Sequence, residues 1–81
     1  STMLLVEEIE SNLSYLLNEL DNRQLKLIVH PFVDAYLKRG IISKQWKWFW
    51  QYKKWITIIP DNTVNLTDYQ FYDHNSEDIK I

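Results

Sequence analysis

The sequence predicts a small α+β domain, with helices packed on one face of a small mixed sheet. Three observations support this fold class: an N-terminal stretch with helical periodicity, two short helical segments in the middle of the chain, and short β-branched or aromatic runs beside them. The predicted order is an N-terminal amphipathic helix, a strand, two short helices, and then two to three strands. A chain of 81 residues is long enough for one domain, which we place at 1–81.

The first predicted element is an amphipathic helix. Its apolar residues recur at spacings of three and four: Leu5, Ile9, Leu13, Leu16, Leu17 and Leu20. Acidic side chains lie toward its N-terminal end, where they interact favourably with the helix dipole. Ser1 or Thr2 can cap the helix, and the polar run 21–23 ends it.

A strand and a short helix follow. Residues 24–30 (QLKLIVH) alternate in polarity and contain β-branched side chains, which indicates a strand. Pro31 suits the first position of a helix, and His30 before it is better placed to cap that helix than to bind a metal. Gly40, the only glycine of the chain, is predicted to end this helix in a left-handed conformation.

The second half of the chain begins with an aromatic helix at about 44–53, which Ser43 can cap. Strands are predicted at 55–60 (WITIIP), 66–73 (LTDYQFYD) and 79–81 (IKI). Pro60 ends the first of these because proline cannot donate to a sheet ladder. Since these last strands are close in sequence, we expect them to pair as an antiparallel hairpin.

The aromatic helix has two candidate apolar faces. Residues 46–55 contain all four tryptophans of the chain, together with Phe49 and Tyr52. One face holds Trp46, Phe49 and Trp50, and the other holds Trp48, Tyr52 and Trp55 if the helix extends that far. We expect the first face to be buried against the sheet and the second to be less buried.

Three other interpretations of the same stretch remain open. An exposed aromatic face is typical of a protein interface. A base-stacking platform requires ring faces that are open to solvent. A membrane-surface helix fits less well, because the stretch is short and aromatic residues occupy more than one side of it.

Charge is distributed unevenly along the chain. Residues 1–34 carry a net charge of −4, residues 35–60 carry +6, and residues 61–81 carry −4. Such a pattern indicates either an anionic partner or a domain whose own halves neutralise each other. The candidate RNA contacts are the six cations of the middle segment: Lys38, Arg39, Lys44, Lys47, Lys53 and Lys54.

Residues that would carry chemistry are few. The chain has no cysteine, and its single glycine rules out a glycine-rich phosphate loop within these residues. The two histidines, His30 and His74, are not spaced as ligands, and acids such as Asp61 and Asp68 suit turns. We therefore assign no catalytic residue, no metal ligand and no cofactor to this chain, and no segment has the features of a targeting sequence or a membrane span.

Three motifs resemble a known family. VHPFVDAYLKRGI, then KWFWQYKKWITIIPD, then DYQFYD, resemble the C-terminal small domain of the ribonuclease E/G family of bacterial endoribonucleases. The opening STMLLVEEIESNL is similar to the segment that follows that family's zinc-binding cysteine pair. Because the chain starts at Ser1 and enters a helix at once, we expect it to be a piece of a longer polypeptide.

The resemblance implies a scaffold role. It implies a cytoplasmic parent enzyme that cleaves single-stranded RNA in ribosomal-RNA maturation and messenger-RNA decay, and that uses magnesium and a structural zinc held upstream. No catalytic aspartate or zinc cysteine of that family matches a residue here, so the domain alone is expected to be inert. The implied partners are RNA, which the parent enzyme binds, and further copies of the parent. The resemblance implies no membrane contact. The interface candidates are Trp48, Tyr52 and Trp55, and the alternative is an accessory RNA-binding module that uses the basic aromatic helix 44–54.

Overall fold

The computed structural model describes residues 2–18 and 25–73, together with the backbone of 78–79. Its helices are α1 (Thr2–Asn18), α2 (Pro31–Lys38) and α3 (Lys44–Tyr52). Its strands are β1 (Lys26–Val29), β2 (Thr57–Pro60), β3 (Tyr69–Tyr72) and β4 (Asp78–Ile79). The α+β class and the predicted order of the elements are confirmed.

The sheet has the order β2-β1-β3-β4, with β1 as a central strand. β1 is parallel to β2 and antiparallel to β3, so the sheet is mixed as predicted. β1 and β2 can run parallel because α2 and α3 form a crossover connection, which returns the chain to the end of the sheet at which β1 begins. β3 and β4 pair in antiparallel fashion.

The expected pairing of the strands at 55–60 and 66–73 is wrong. β2 and β3 do not touch, because β1 lies between them. The backbone N–H of Asp61 donates to the Val29 carbonyl oxygen at 2.8 Å, so β2 remains attached to β1 up to its end. Central position suits β1 because residues 27–29 are apolar and buried on both faces of the sheet, a pattern typical of an inner strand.

The strands are shorter than the sequence predicts. β3 begins at Tyr69 and not at residue 66, because the segment before it is a turn in which the N–H of Asp68 donates to the Asn65 carbonyl oxygen at 3.0 Å. β1 ends at Val29, because His30 takes the N-cap position of α2. Residues 1, 19–24, 74–77 and 80–81 lie outside the described part. The candidate cap Ser1, Leu20, the predicted helix end at 21–23, His74 and most of the predicted strand 79–81 are therefore not described.

The helix termini are set by the residues that the sequence indicates. His30 Nδ1 accepts a hydrogen bond from the Phe32 N–H at 3.0 Å, and Pro31 occupies the first turn of α2. Gly40 has φ +83°, which confirms the predicted left-handed conformation, but α2 already ends at Lys38 and its C-cap is Arg39 in an extended conformation, so Gly40 does not itself close the helix. Ser43 Oγ accepts from the Trp46 N–H at 3.3 Å and caps α3 as predicted. Thr2 is already helical, so it is not the cap of α1.

The core lies between the three helices and one face of the sheet. Fifteen buried residues form one cluster: Leu5, Val6, Ile9, Leu13, Leu16, Leu17, Leu25, Leu27, Val29, Val33, Leu37, Trp48, Ile56, Ile58 and Phe71. Each described helix contributes to it, and the alternate positions of β1 to β3 (Leu27, Ile58 and Phe71 among them) point into it. The prediction that the helices share one face of the sheet is confirmed.

Candidate interaction site on the third helix

The buried face of α3 is formed by Gln45, Trp48 and Tyr52. Trp48 is completely buried, Gln45 is nearly so, and the half-buried Tyr52 packs against the core. Gln45 tolerates burial because its Nε2 donates to the Ile56 carbonyl oxygen at 2.8 Å. The helix therefore faces the core with the side that was expected to be the less buried one.

Trp48 is anchored by α1. Its indole Nε1 donates to Glu10 Oε2 at 3.0 Å, and Lys44 Nζ lies 3.4 Å from the same carboxylate oxygen. A buried indole requires an acceptor for its N–H, and α1 supplies one at the edge of the core. This acceptor is the physical reason why Trp48 can be buried completely.

The face that was expected to cover the sheet is exposed to solvent. Trp46, Phe49 and Trp50 are 44%, 36% and 52% exposed, so the prediction that this face is buried is wrong. Trp55, which was expected to be less buried, is also exposed at 43%. These four residues make up a surface feature that we call the aromatic cluster.

Trp46 is at the centre of the aromatic cluster. Its ring centroid lies 5.0 Å from that of Trp55, 6.0 Å from that of Phe49 and 6.3 Å from that of Trp50. The Trp46–Phe49 and Trp46–Trp55 pairs are edge-to-face, an arrangement that stabilises aromatic pairs beyond simple burial. The four side chains therefore form a preassembled apolar surface.

Lys53 brings Trp55 into the aromatic cluster. The helix ends at Tyr52, and Lys53 adopts a left-handed conformation with φ 62° and ψ 24°. Its backbone N–H donates to the Phe49 carbonyl oxygen at 2.7 Å, which closes the helix end and reverses the chain direction. Trp55 thus reaches the cluster from beyond the helix and does not lie on a helical face with Trp48.

The three predicted interface residues have three different environments. Trp48 has no exposed surface and cannot contact a partner, so its choice as an interface residue is corrected here. Tyr52 packs partly against the core. Trp55 belongs to the aromatic cluster. Trp46, Phe49 and Trp50 were missed as surface residues, and the sequence held no signal for them, because a polar residue such as Gln45 on the opposite face favours exposure of that face.

Two of the six candidate RNA contacts are engaged at α2. Lys38 Nζ lies 2.7 Å from Asp34 Oδ1 and donates to the Ile58 carbonyl oxygen at 3.0 Å, so it links α2 to β2. The guanidinium carbon of Arg39 lies 4.5 Å from the centre of the Tyr36 ring. Lys38 is thus committed to the fold, whereas Arg39 is held at the surface.

The other four cations belong to α3 and its C-terminal end. Lys44 pairs with Glu10, Lys54 is half-buried, and Lys47 and Lys53 are exposed. Within 2–18 and 25–73, Lys47 and Lys53 have no ion pair. Arg39, Lys44 and Lys47 line one pocket between α2 and α3, while Lys53 lies at the other end of α3. The structure therefore brings together three of the six.

The acids of the turn after β2 stabilise the turn itself. Asp61 Oδ1 accepts from the Thr63 hydroxyl at 2.6 Å and from the Thr63 N–H at 2.9 Å, and these bonds lower the pKa of Asp61. Asp68 Oδ2 accepts from Asn65 Nδ2 at 3.0 Å. Asp61 and Asp68 line one surface pocket of about 390 Å³. No group of three or more metal-ligating side chains occurs among the residues that the structure describes.

A polar network also joins α1 to β3. The Tyr69 hydroxyl donates to Glu8 Oε2 at 2.7 Å and accepts from Asn12 Nδ2 at 2.6 Å. Burial, together with the adjacent Glu8 carboxylate, raises the pKa of Tyr69 to about 12. The polar side of α1 thus fixes two aromatic residues, Trp48 through Glu10 and Tyr69 through Glu8.

Comparison with known proteins found no counterpart. No family model, no curated protein and no solved structure matches the chain. In the described part, no helix is both long enough and apolar enough to cross a membrane. The observations that bear on the function of this chain are therefore the geometry of α3 and the sequence resemblance.

Proposed function

We propose that this domain is an assembly module, and that the aromatic cluster is its contact surface for a second copy of the chain. The observation that supports this proposal is the exposure of four large aromatic side chains at one place, on a domain whose core already holds Trp48 and Phe71. Monomeric proteins rarely leave a contiguous apolar patch of this kind in water.

The chemistry of the aromatic cluster suits a protein partner. Tryptophan is enriched among the residues that dominate binding energy at interfaces, and such residues lie together in rigid, packed groups. The edge-to-face contacts of Trp46 hold the cluster in one arrangement before binding, which reduces the entropy lost on association. A flat apolar partner surface would then displace water from all four rings at once.

Charge complementarity favours a second copy as the occupant. Lys47 lies on α3 beside the aromatic cluster, and Lys53 ends that helix. The chain also supplies the opposite charge, since Glu7 is exposed on α1 and residues 1–34 carry a net charge of −4. In a two-fold symmetric dimer that brings α1 of each copy against α3 of the other, these opposite charges attract each other.

A second part of the proposal concerns the parent protein. The resemblance of residues 29–41, 47–61 and 68–73 to the ribonuclease E/G small domain supports a parent that cleaves single-stranded RNA in the cytoplasm with magnesium, and that assembles as a homo-oligomer. In this proposal the present chain contributes assembly and no catalysis. Incubation with magnesium and a 5′-monophosphorylated RNA should therefore give no cleavage, and cleavage that disappears on mutation of Asp61 or Asp68 would contradict it.

Sedimentation equilibrium tests the assembly module directly. The wild-type chain is expected to associate reversibly as its concentration rises, and the double variant Trp46→Ala/Trp50→Ala is expected to remain monomeric. Phe32→Ala is the matched control, because Phe32 is an exposed ring on α2 that makes no ring contact with the aromatic cluster. A wild-type chain that stays monomeric up to about 1 mM would overturn the proposal.

An accessory RNA-binding module is the second candidate. The observation that favours it is the half-exposed state of Trp46 and Trp50 on the same helix as Lys47 and Lys53, which have no ion pair in the described part. Bases stack on open ring faces, and edge-to-face packing within the aromatic cluster occupies part of those faces. This packing is why we rank assembly first.

Fluorescence titration separates the two candidates. Single-stranded RNA that stacks on Trp46 or Trp50 should quench tryptophan emission, with a log–log salt dependence of about −0.7 per phosphate contacted. Assembly through the aromatic cluster predicts no quenching by RNA at tens of micromolar, but a change in emission with protein concentration. Saturable, salt-dependent quenching in a chain that stays monomeric would favour the RNA module.

A further inference from the structure

A pocket of about 200 Å³ lies between α2 and α3, apart from the aromatic cluster. Its lining consists of Tyr36, Arg39, Ile42, Lys44 and Lys47, which are three cations, one aromatic ring and one exposed aliphatic side chain. We propose that this pocket binds the phosphate group of a nucleotide. None of the four cluster residues lines the pocket, so the proposal does not require assembly, although Lys47 lies beside both features on α3.

Arg39 is held in place for such a contact. Its guanidinium group stacks over the Tyr36 ring, with 4.5 Å between the guanidinium carbon and the ring centre. Within 2–18 and 25–73 the Arg39 guanidinium makes no ion pair and no hydrogen bond, so its N–H groups are available to a ligand. The N–H edge of a guanidinium matches two oxygens of a phosphate group, which is the geometry for which arginine is suited.

Lys44 and Lys47 supply the other two charges. They lie one turn apart on α3, so both ammonium groups reach the same side of the helix. Lys47 has no ion pair within 2–18 and 25–73. With Arg39, which directly follows α2, they give three cationic donors from two segments of the chain, which surround a tetrahedral anion better than they would a single carboxylate.

Glu10 is the acid that competes for Lys44. Its Oε2 lies 3.4 Å from Lys44 Nζ, a long contact in which both side chains are about one-third exposed, so the pair is weak. Glu10 and Glu7 line a neighbouring pocket of about 280 Å³ and do not line this one. The positive lining is therefore left without an internal carboxylate, and a phosphate can attract Lys44 away from Glu10.

The rim of the pocket favours a nucleotide over a free inorganic ion. Ile42 is exposed, and the partly buried Tyr36 also lines the pocket. An attached base or sugar placed there removes apolar surface of both partners from water. We therefore expect a nucleoside monophosphate to bind more tightly than phosphate itself.

Trp48 provides a built-in reporter for this site. Glu10 Oε2 accepts from both Lys44 Nζ and Trp48 Nε1, so a ligand that draws Lys44 away changes the hydrogen bond of the indole. Titration with AMP at constant ionic strength, followed by ¹⁵N–¹H correlation spectra, should shift the Trp48 indole resonance saturably. The indole resonances of Trp46, Trp50 and Trp55 should stay unchanged, whereas assembly through the aromatic cluster would move those three.

Three charge-removing variants complete the test. Lys47→Gln and Arg39→Gln should each weaken AMP binding about tenfold, because each removes one charge-assisted hydrogen bond. Lys26→Gln is the matched control, since it removes the same charge from β1, away from the pocket, and should leave the affinity unchanged. All three positions are at least partly exposed, so dispersed spectra are expected for every variant. If all three variants weaken AMP binding equally, positive charge attracts AMP non-specifically, and the proposed site is wrong.

Two further ligands distinguish the source of the phosphate. Inorganic phosphate that binds as tightly as AMP would overturn the nucleotide assignment, and weaker binding would support it. A short single-stranded RNA should bind no more tightly than AMP if the pocket holds one phosphate, with a salt dependence of about −0.7 in log–log form. Much tighter RNA binding that is insensitive to Lys47→Gln would place the anion elsewhere and overturn the proposal.

Discussion

The two aromatic faces of α3 contain similar residues and have opposite environments. One face places Trp48 in the core, completely out of contact with water, and the other leaves Trp46 and Trp50 about half exposed. By number of aromatic rings, the exposed face is the richer of the two. The difference shows that aromatic content alone did not decide which face of this helix covers the sheet.

Hydrogen-bonding partners explain the choice. On the buried face, the Trp48 indole donates to Glu10 and the Gln45 amide donates to the Ile56 carbonyl oxygen, so both polar groups are satisfied. A polar group buried without a partner costs roughly 1–3 kcal/mol, which is comparable to the gain from burying an aromatic ring. The three rings of the other face instead pack on each other and on Trp55.

The largest expected effect comes from removing the buried ring. Trp48→Ala should lower the free energy of unfolding by about 3–5 kcal/mol, because it leaves a cavity and removes the partner of Glu10. Trp50→Ala, on the exposed face, should cost about 1 kcal/mol or less. Urea denaturation followed by circular dichroism measures both.

Trp48→Phe keeps the comparison testable if Trp48→Ala does not fold. Phenylalanine keeps most of the ring and loses the N–H donor, so an intermediate loss is expected. Equal losses for Trp48→Phe and Trp50→Ala would contradict the assignment of the two faces.

The next effect isolates the polar group on the buried face. Gln45→Ala should lower the free energy of unfolding by about 1–3 kcal/mol, since it leaves the Ile56 carbonyl oxygen without this donor and opens space at the core. Gln51→Ala is the matched control on the same helix, where the side chain is exposed, and should change the stability by about 0.5 kcal/mol or less. A Gln45→Ala variant as stable as Gln51→Ala would show that the buried amide does not select the face.

A smaller effect, of opposite sign, is expected at the end of the helix. Lys53→Gly should raise the free energy of unfolding by about 0.5–1 kcal/mol, because an L-residue with φ 62° is strained and glycine is not. Lys53→Ala removes the charge but keeps the strain, and should leave the stability nearly unchanged. Destabilisation by Lys53→Gly would mean that the lysine side chain, and not the backbone, holds Trp55 in the aromatic cluster.

The last prediction concerns how the stability contributed by Tyr69, which contacts Glu8 of α1, depends on pH. Because the pKa of Tyr69 is raised to about 12, the folded state holds this proton more tightly than the unfolded chain. The associated stability is complete below pH about 10, the pKa of an unperturbed tyrosine, and is lost as the pH rises from there toward 12. The difference in unfolding free energy between the wild type and Tyr69→Phe should therefore shrink over that interval, and a constant difference would contradict the raised pKa of Tyr69, which burial and the Glu8 carboxylate together produce.

Local signals predicted most of the elements. Pro31 and Ser43 fix the N-terminal ends of α2 and α3 through their own backbone or side-chain geometry, and both helices also end within one or two residues of the predicted positions. The strand lengths were overestimated because turn hydrogen bonds such as that between Asp68 and Asn65 remove residues from the strand ends. These bonds are also local, but apolar periodicity does not report them.

The sequence predicted which residue types form the candidate site but not which of them are exposed. The sequence located the aromatic and basic residues on one helix, yet it placed Trp46 inside and Trp48 outside, the reverse of the structure. Helical spacing shows which residues share a face but carries no information on where an acceptor such as Glu10 lies. That acceptor is 38 residues away in the chain.

The sequence by itself determined the α+β class, the order of the elements and their main end points, since each depends on residues that are neighbours in the chain. Only the tertiary structure decided the strand order, because β2 and β3 pair with opposite edges of β1 and not with each other. Only the tertiary structure decided which aromatic face became surface, because the hydrogen bonds that allow Trp48 to be buried join α3 to α1, an element distant in sequence. Contacts of that kind form when elements pack, and local periodicity does not encode them.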